Sequence, residues 1–172
     1  MTETIPYEIT GKSGEIEFRK YPSVVIATVD SDGNDTGFNL LFAFITGSNH
    51  TQHKISMTSP VITSRKIAMT APVVPDANSM SFVMPTGQSR DAIPDPLDSR
   101  VRITTLPARD VAVIRFRGYA RHDEVIAAEE RLMDGLKKAS VETVGGPFLM
   151  RYNPPWTPGF LRRNEVAVEI TQ

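Results

Sequence analysis

The amino-acid sequence predicts an α+β fold, a distorted, mostly antiparallel β-barrel with two α-helices arranged as a pseudo-twofold repeat. Three observations support this prediction. Most apolar segments are short and either alternate with polar residues or are rich in β-branched residues, which is typical of strands. Only two segments carry apolar residues at helical spacing. The 13 prolines lie mostly between these segments, where the turns of a strand-rich protein are expected.

The predicted strands account for most of the chain. An N-terminal pair, residues 7–9 and 15–20, surrounds a turn at 11–14. The β-branched run 24–29 predicts a buried strand. Further strands are predicted at residues 80–84, 101–106, 111–116, 147–152 and 166–170. The segment 86–99 is long for an ordinary connection, which indicates a mobile segment or a lid.

Two helices are predicted between the strands. Helix one begins at Thr36, a good N-cap residue, and ends at Gly47. Four apolar residues fall at positions i, i+3, i+4 and i+7 of one face: Phe38, Leu41, Phe42 and Ile45. Helix two spans residues 123–144, with acidic residues in its first turn and lysines nearer its end, and Gly145 and Gly146 stop it.

A short segment between the two helices occurs twice. Residues 54–62 read KISMTSPVI, and residues 66–74 read KIAMTAPVV. Both copies alternate as half-buried strands do, so we expect them to pair as a hairpin through the polar linker 63–66. Met57 and Met69 occupy the same position in the two copies and are predicted to face inward. They either fill the core or line an adaptable apolar groove.

Composition restricts the possible functions. The length of 172 residues suggests one domain, or two small repeats around one core. The absence of cysteine excludes disulfides and thiolate metal sites. A net charge of −1 gives no reason to expect a nucleic-acid or anionic-membrane partner. Without an apolar run among the first twenty residues, no signal peptide is expected, and the predicted location is cytoplasmic.

Few residues carry recognisable chemistry. The sequence contains no Gly-x-Ser-x-Gly elbow, no His-Glu-x-x-His, no P-loop and no Gly-x-Gly-x-x-Gly, so catalysis is not expected. His50 and His53 are three positions apart and either ligate a metal or are solvated loop residues. Trp156 and Phe160 lie in a proline-rich loop that is either a lid over an apolar ligand or a plug at the end of a barrel. Three arginines at the ends of the last strands either pair with ligand carboxylates or are ordinary surface charge: Arg151, Arg162 and Arg163.

Several motifs together carry a family resemblance. They are the duplicated KIxMTxPV segment, Gly37-Phe38 at the start of helix one, AVIRFRG at 112–118, RYNPPWT at 151–157 and RNEV at 163–166. In this order, over nearly the whole chain, the set resembles the SOUL haem-binding protein family. The resemblance implies a distorted antiparallel barrel with two helices and an apolar groove beside helix one that binds haem or another tetrapyrrole. The architecture is similar to the effector-binding domains of bacterial transcription regulators.

The resemblance also bears on the haem iron. An axial histidine has been proposed in the animal SOUL protein just before a tyrosine, and this chain has Lys20 before Tyr21 at that place. Another animal relative binds haem without that histidine, in an apolar pocket with basic residues near the propionates, and has a methionine at the position of His53. We therefore predict His53 as the axial metal ligand, with His50 as the alternative. The predicted cofactor-binding wall is Phe38, Leu41, Phe42, Ile45, Met57, Met69, Trp156, Phe160 and Arg162.

Three functions follow as hypotheses. The first is a haem or tetrapyrrole carrier or buffer. The second is a small-molecule effector-sensing module that acts through a partner protein. The third, ranked lowest, is a hydrolase that uses the same cavity, because no nucleophile–base pair is visible in the sequence.

Overall fold

The computed structural model describes residues 3–30, 35–52, 54–65, 78–154 and 156–171. Two α-helices, α1 (Asp35–Ile45) and α2 (His122–Lys138), are found among these residues. The strands are β1 (Glu3–Thr4), β2 (Glu8–Ser13), β3 (Ile16–Tyr21), β4 (Val24–Asp30), β5 (Thr58–Arg65), β6 (Asn78–Val83), β7 (Arg102–Leu106), β8 (Arg109–Phe116), β9 (Thr143–Arg151) and β10 (Asn164–Ile170). Single 3₁₀ turns lie at Arg90–Ala92 and Gly159–Leu161.

The chain forms two compact units whose segments alternate along the sequence. The first unit contains residues 1–5 and 23–107, and the second contains residues 6–22 and 108–172. Each unit has one α-helix and a mostly antiparallel sheet, which confirms the α+β prediction. The halves are not consecutive, however, because β2 and β3 belong with the C-terminal elements. The reason is that β3 pairs with β8 over its whole length.

In the first unit the strands follow the order β5-β6-β4-β7, and β1 adds to β5 in parallel. The inward residues of β4 alternate along the strand, as expected for a sheet covered by a helix on one face. They pack with α1 in one core that includes Val25, Ala27, Val29, Leu41, Phe44, Ile45 and Phe82.

The repeated segment does not fold as the sequence suggests. Residues 54–57 precede β5, and β5 continues through residues 63–65, which were the predicted linker. The partner of β5 is β6, with a register shift between Thr58 and Val61. Pro60 lies in this irregularity, where its missing N–H costs no ladder hydrogen bond, so the proline does not end the strand. The second copy of the repeat, with Met69, lies outside the described residues.

In the second unit the strands follow the order β2-β3-β8-β10-β9, all antiparallel. The apolar face of α2 packs on β8 and β10 in a core that includes Ile16, Ala112, Ile114, Ala128, Leu132, Leu136, Val166 and Val168. The helix ends six residues before the predicted position. Ser140, with φ of 57°, follows it, and β9 already begins at Thr143. Gly145, with φ of 70°, lies where the β9–β10 register shifts, so it belongs to a bulge and not to a helix stop.

The word barrel describes these sheets only loosely. Among the described residues, β7 pairs with β4 alone and β2 pairs with β3 alone, so each unit has an open sheet. Within the same residues, no helix has both the length and the apolar content needed to cross a membrane.

Candidate functional site

The predicted wall of helix one divides into core and surface residues. Leu41 is 0% and Ile45 is 4% exposed, so both belong to the core of the first unit and cannot face a ligand. Phe38 is half-buried, and its ring is stacked on Phe42 at 6.0 Å between centroids. The ring of the core residue Phe82 meets Phe38 in an edge-to-face arrangement, with 5.4 Å between the ring centroids. Phe42 is 48% exposed, so the aromatic surface of α1 consists of Phe42 backed by Phe38.

The chain beyond α1 continues this apolar surface. Ile55 and Met57 are half-buried and pack against the core beneath α1. The Ile55 backbone N–H donates to the carbonyl of Ile45 at 2.6 Å, which holds this segment to the end of the helix. Lys54 is exposed beside it. Ile55 and Met57 therefore add apolar surface after α1, and Lys54 places a cation next to it in the chain. His53, the predicted metal ligand, lies outside the described residues.

His50 lies in the loop after α1 and is exposed. Its backbone N–H donates to the carbonyl of Asp95 at 2.9 Å. A hydrogen bond from Arg90, with a smaller effect of His50, lowers the pKa of the Asp95 carboxyl. Ile93 of the same 86–99 segment is 3% exposed and belongs to the core. The segment is thus anchored on the first unit, which does not support the mobile-segment or lid interpretation.

The loop with Trp156 lies in the second unit. Trp156 is 83% and Phe160 is 70% exposed. A plug at the end of a barrel would be buried, so the plug interpretation is wrong. The Nε atom of Arg162 donates to the carbonyl of Thr157 at 2.7 Å, which closes the loop on itself. The wall of α1 and this loop thus belong to different units, although the sequence placed them in one site.

The second unit contains a buried polar group that the sequence analysis did not predict. We call it the Glu165 cluster, and its members are Tyr7, Glu17, Arg19, Tyr21, Tyr152, Arg163 and Glu165. The carboxylate of Glu165 is 0% exposed. Arg19, which is 2% exposed, donates to both of its oxygens at 2.8 and 2.6 Å. The Tyr152 hydroxyl donates to Oε1 at 2.6 Å, and Arg163 donates to Oε2 at 3.1 Å. Every lone-pair direction of this carboxylate is therefore engaged by protein donors.

A second layer surrounds this carboxylate. The Nε atom of Arg19 donates to Glu17 at 2.6 Å, and one terminal nitrogen donates to the Tyr21 hydroxyl at 2.9 Å. The guanidinium of Arg19 also lies 4.1 Å from the ring centroid of Tyr7. Arg163 donates to the Tyr7 hydroxyl at 3.1 Å. Together with Tyr152 and Glu165, these residues complete the Glu165 cluster.

The charges of this cluster stabilise one another. Burial alone would raise the pKa of the Glu165 carboxyl, but the hydrogen bonds from Arg19 and Tyr152 outweigh burial and leave that pKa lowered. Burial would lower the pKa of Arg19, yet the hydrogen bond and charge of Glu165 raise it. Burial and the Glu165 charge raise the pKa of the Tyr152 hydroxyl. At neutral pH Glu165 is thus an ionised, fully hydrogen-bonded carboxylate, which makes it a poor general base.

Local sequence patterns could not reveal this cluster, because Arg19 and Glu165 are 146 positions apart. One signal was nevertheless present. Ile16 and Phe18 lie on the face of β3 that packs against α2, so the alternate residues Glu17, Arg19 and Tyr21 occupy the opposite face. Charged residues on the second face of a predicted strand indicate that this face meets other polar groups, although Glu165 lies on β10, which β8 separates from β3.

A comparison with protein-family models decides the family. The model described as SOUL heme-binding protein matches residues 2–169, nearly the whole chain. The chain belongs to the SOUL heme-binding protein family. This result confirms the resemblance carried by the repeat and by the RNEV motif, which contains Glu165. No curated protein matches the sequence at a significant level.

Several solved structures share the fold of this chain. The C-terminal domain of EcmrR is 11% identical with a TM-score of 0.60, covering 96% of this chain and 98% of that chain. A hydrolase from Listeria innocua is 9% identical with a TM-score of 0.65, covering 94% of both chains. SAV2435 bound to tetraphenylphosphonium is 12% identical with a TM-score of 0.54, covering 91% of this chain and 94% of that chain. At these identities the likeness shows the fold alone.

A further similar structure is EcmrR in its complex with DNA, which is 10% identical with a TM-score of 0.61, and this chain covers 57% of it. The expectation of no nucleic-acid partner, which rests on net charge, stays a prediction.

Proposed function

We propose that this SOUL-family chain binds haem or a related tetrapyrrole on the surface of α1 and acts as a carrier or buffer. The observation that carries the proposal is the half-exposed ring of Phe42 stacked on Phe38. The stacked pair leaves apolar area in water on the helix, and a flat apolar ligand gains free energy by covering it. Membership of a family described as heme-binding supports the same ligand class.

The described residues suit a porphyrin in two respects. Phe42, Phe38 and Met57 offer aromatic and thioether surface, which packs well against a flat apolar macrocycle. Lys54 is exposed beside this surface and can neutralise a propionate. When bound, haem supplies an intense visible absorption and an iron atom that takes axial ligands. The protein residues bind and orient it, and no catalytic step is part of the proposal.

Haem titration followed by the Soret band tests this site. Phe42→Ala should weaken haem binding about tenfold or more, because it removes the exposed ring. Val144→Ala is a matched control, since Val144 is 45% exposed on β9 of the second unit and should leave binding unchanged. If both variants bind haem like the unaltered chain, the α1 surface is not the site.

The axial ligand is a separate proposal. We propose His53, with His50 as the alternative, because both lie between α1 and the apolar segment at Ile55. His53→Ala should shift the Soret maximum and weaken binding, while His50→Ala should leave both unchanged. The reverse pattern would assign His50, and unchanged spectra for both variants would rule out histidine ligation.

The effector-sensing module stays as the second candidate, supported by the fold shared with the EcmrR C-terminal domain over nearly the whole chain. Tetraphenylphosphonium is a suitable probe, since it is the molecule bound by SAV2435. The buried carboxylate of Glu165 offers no site for this cation, because Arg19 and Arg163 already neutralise it, so we expect weak or no binding at the Glu165 cluster. Micromolar binding in calorimetry, together with failure of haem to bind, would favour the effector function. The predicted lid role of Trp156, Phe160 and Arg162 and the predicted cytoplasmic location stay predictions.

A further inference from the structure

Four large apolar side chains are exposed together in two loops of the second unit. Tyr119 is 50%, Trp156 is 83%, Phe160 is 70% and Leu161 is 62% exposed. We call these four residues the aromatic patch. Most large side chains of this kind are buried in folded proteins, and a group of them in water marks an interaction surface.

The aromatic patch is held in place by contacts between its two loops. The Gly118 N–H donates to the carbonyl of Gly159 at 3.0 Å. The Tyr119 ring lies against Gly159 so closely that a Cβ atom there would come within 2.6 Å of the ring. On the same ring, the guanidinium of Arg162 lies 4.6 Å from the centroid. The exposed side chains thus project from a fixed support.

Positive charge is concentrated around this patch. Residues 111–124 and 143–165 contain six arginines and three acidic residues, an excess of three positive charges, although the whole chain has a net charge of −1. Arg115 and Arg163 pair with Glu165, whereas Arg117 and Arg121 are exposed. The surface around the patch therefore carries a local excess of positive charge.

We propose that the aromatic patch docks the protein on an anionic lipid bilayer. Tryptophan, phenylalanine and leucine insert favourably at the boundary between headgroups and acyl chains, where tyrosine is also enriched. Arginines beside them attract the phosphates of anionic lipids, and guanidinium groups pair with phosphate in a bidentate manner. The apolar side chains and the surrounding positive charge are the two signals that reversible membrane attachment needs. The proposal does not depend on haem binding.

A nucleic-acid partner fits this surface less well. Single strands bind by stacking bases on free aromatic faces. Here one face of Tyr119 is covered by Arg162 at 4.6 Å. Leu161 has no π-face to offer. The arrangement favours insertion into an apolar layer over base stacking.

Tryptophan fluorescence measures docking directly, because Trp156, which lies in the aromatic patch, is the only tryptophan of the chain. Haem-free protein is mixed with large vesicles of phosphatidylglycerol and phosphatidylcholine, and Trp156 emission and co-sedimentation are measured. We expect a blue shift and sedimentation with these vesicles, both reduced at high salt, and neither with pure phosphatidylcholine. Unchanged emission and a soluble protein at millimolar anionic lipid would overturn the proposal. So would equal binding to both vesicle types, or binding to an oligothymidylate without binding to vesicles.

Matched variants locate the docking surface. Leu161→Ser should weaken vesicle binding several-fold, whereas Leu97→Ser, at a leucine 56% exposed in the first unit, should not. Arg117→Gln and Arg121→Gln should each weaken binding about fivefold, and Arg100→Gln serves as the control. If the control variants lose as much affinity as the patch variants, the aromatic patch is not the docking surface.

Discussion

The guanidinium of Arg163 lies 4.1 Å from the ring centroid of Tyr152, and both side chains donate a hydrogen bond to the carboxylate of Glu165. The Glu165 carboxylate therefore holds both the Arg163 guanidinium and the Tyr152 ring in place. Burial raises the pKa of the Tyr152 hydroxyl, and the Glu165 charge raises it further, because ionisation of Tyr152 would place two negative charges together. The arrangement is stable only while Glu165 is ionised.

The stability of the protein should depend on the ionisation of Glu165. Its pKa in the folded protein lies below the ordinary value of 4.5, so its stabilising effect is present above about pH 4.5 and is lost as the pH falls through the folded pKa. Glu165→Gln should lower stability at pH 7 and flatten the acid dependence below pH 4.5. Urea denaturation of both proteins at several pH values measures this. Parallel acid profiles for the two proteins would contradict the assignment.

Removing the partner of this buried carboxylate should be costly. Arg19→Ala leaves Glu165 buried beside fewer donors and should lower the free energy of unfolding by about 3–5 kcal/mol. The control is Arg102→Ala, which breaks the exposed pair with Asp30 at 3.0 Å and should cost about 0–1 kcal/mol. Chemical denaturation distinguishes the two, and similar costs would show that the Glu165 cluster is not a stabilising unit.

Neighbouring residues of α1 should respond differently to truncation. Leu41 is fully buried in the core, so Leu41→Ala should cost about 2–5 kcal/mol of unfolding free energy. Phe42 is half exposed, so Phe42→Ala should cost only about 1 kcal/mol, mainly through its stacking on Phe38. Chemical denaturation of the two variants without ligand measures the difference in unfolding free energy. A large loss of stability in Phe42→Ala would mean that this ring is a core residue and not an available surface.

Gly118 connects the aromatic patch to α2. Its φ of 122° is unfavourable for other residues, and a Cβ atom there would fall on the carboxylate of Glu124. That carboxylate accepts the Arg121 N–H at 3.0 Å at the start of α2. Gly118→Ala should therefore cost about 1–3 kcal/mol and fray the first turn of α2. Hydrogen exchange at the first turn would show the fraying, and exchange unchanged from the unaltered chain would argue against it.

Local patterns were sufficient for most single elements. The β-branched run of β4 and the helical spacing in α1 placed both within two residues of their positions. Local patterns misled where a proline or glycine acts in a bulge. Pro60 was predicted to end a strand and Gly145 to end helix two. Each is instead accommodated inside a strand by a shift of register. Only the partner strand determines that outcome, and no local pattern names the partner.

Only part of the candidate site was predictable, because the rest depends on contacts between segments far apart in the sequence. Helical spacing identified the face of α1, but it could not show how far neighbouring strands cover that face, and so it did not separate Leu41 from Phe42. The aromatic content of its loop made Trp156 a predicted lid over the α1 groove, and this stays a prediction; Trp156 belongs to the second unit and α1 to the first. The pairing of Arg19 with Glu165 depends on contacts across most of the chain.

The assignment of β2 and β3 to the C-terminal unit has a consequence for synthesis on the ribosome. This hairpin is made first, but β8, its neighbour in the sheet, follows after about 90 residues. At a synthesis rate of roughly 5–20 residues per second, β8 is made on the order of ten seconds after Arg19, and Glu165 is made later still. During that time the nascent hairpin carries an unpaired strand edge and a guanidinium without its carboxylate. The first unit, by contrast, has all its strands once residue 107 has emerged.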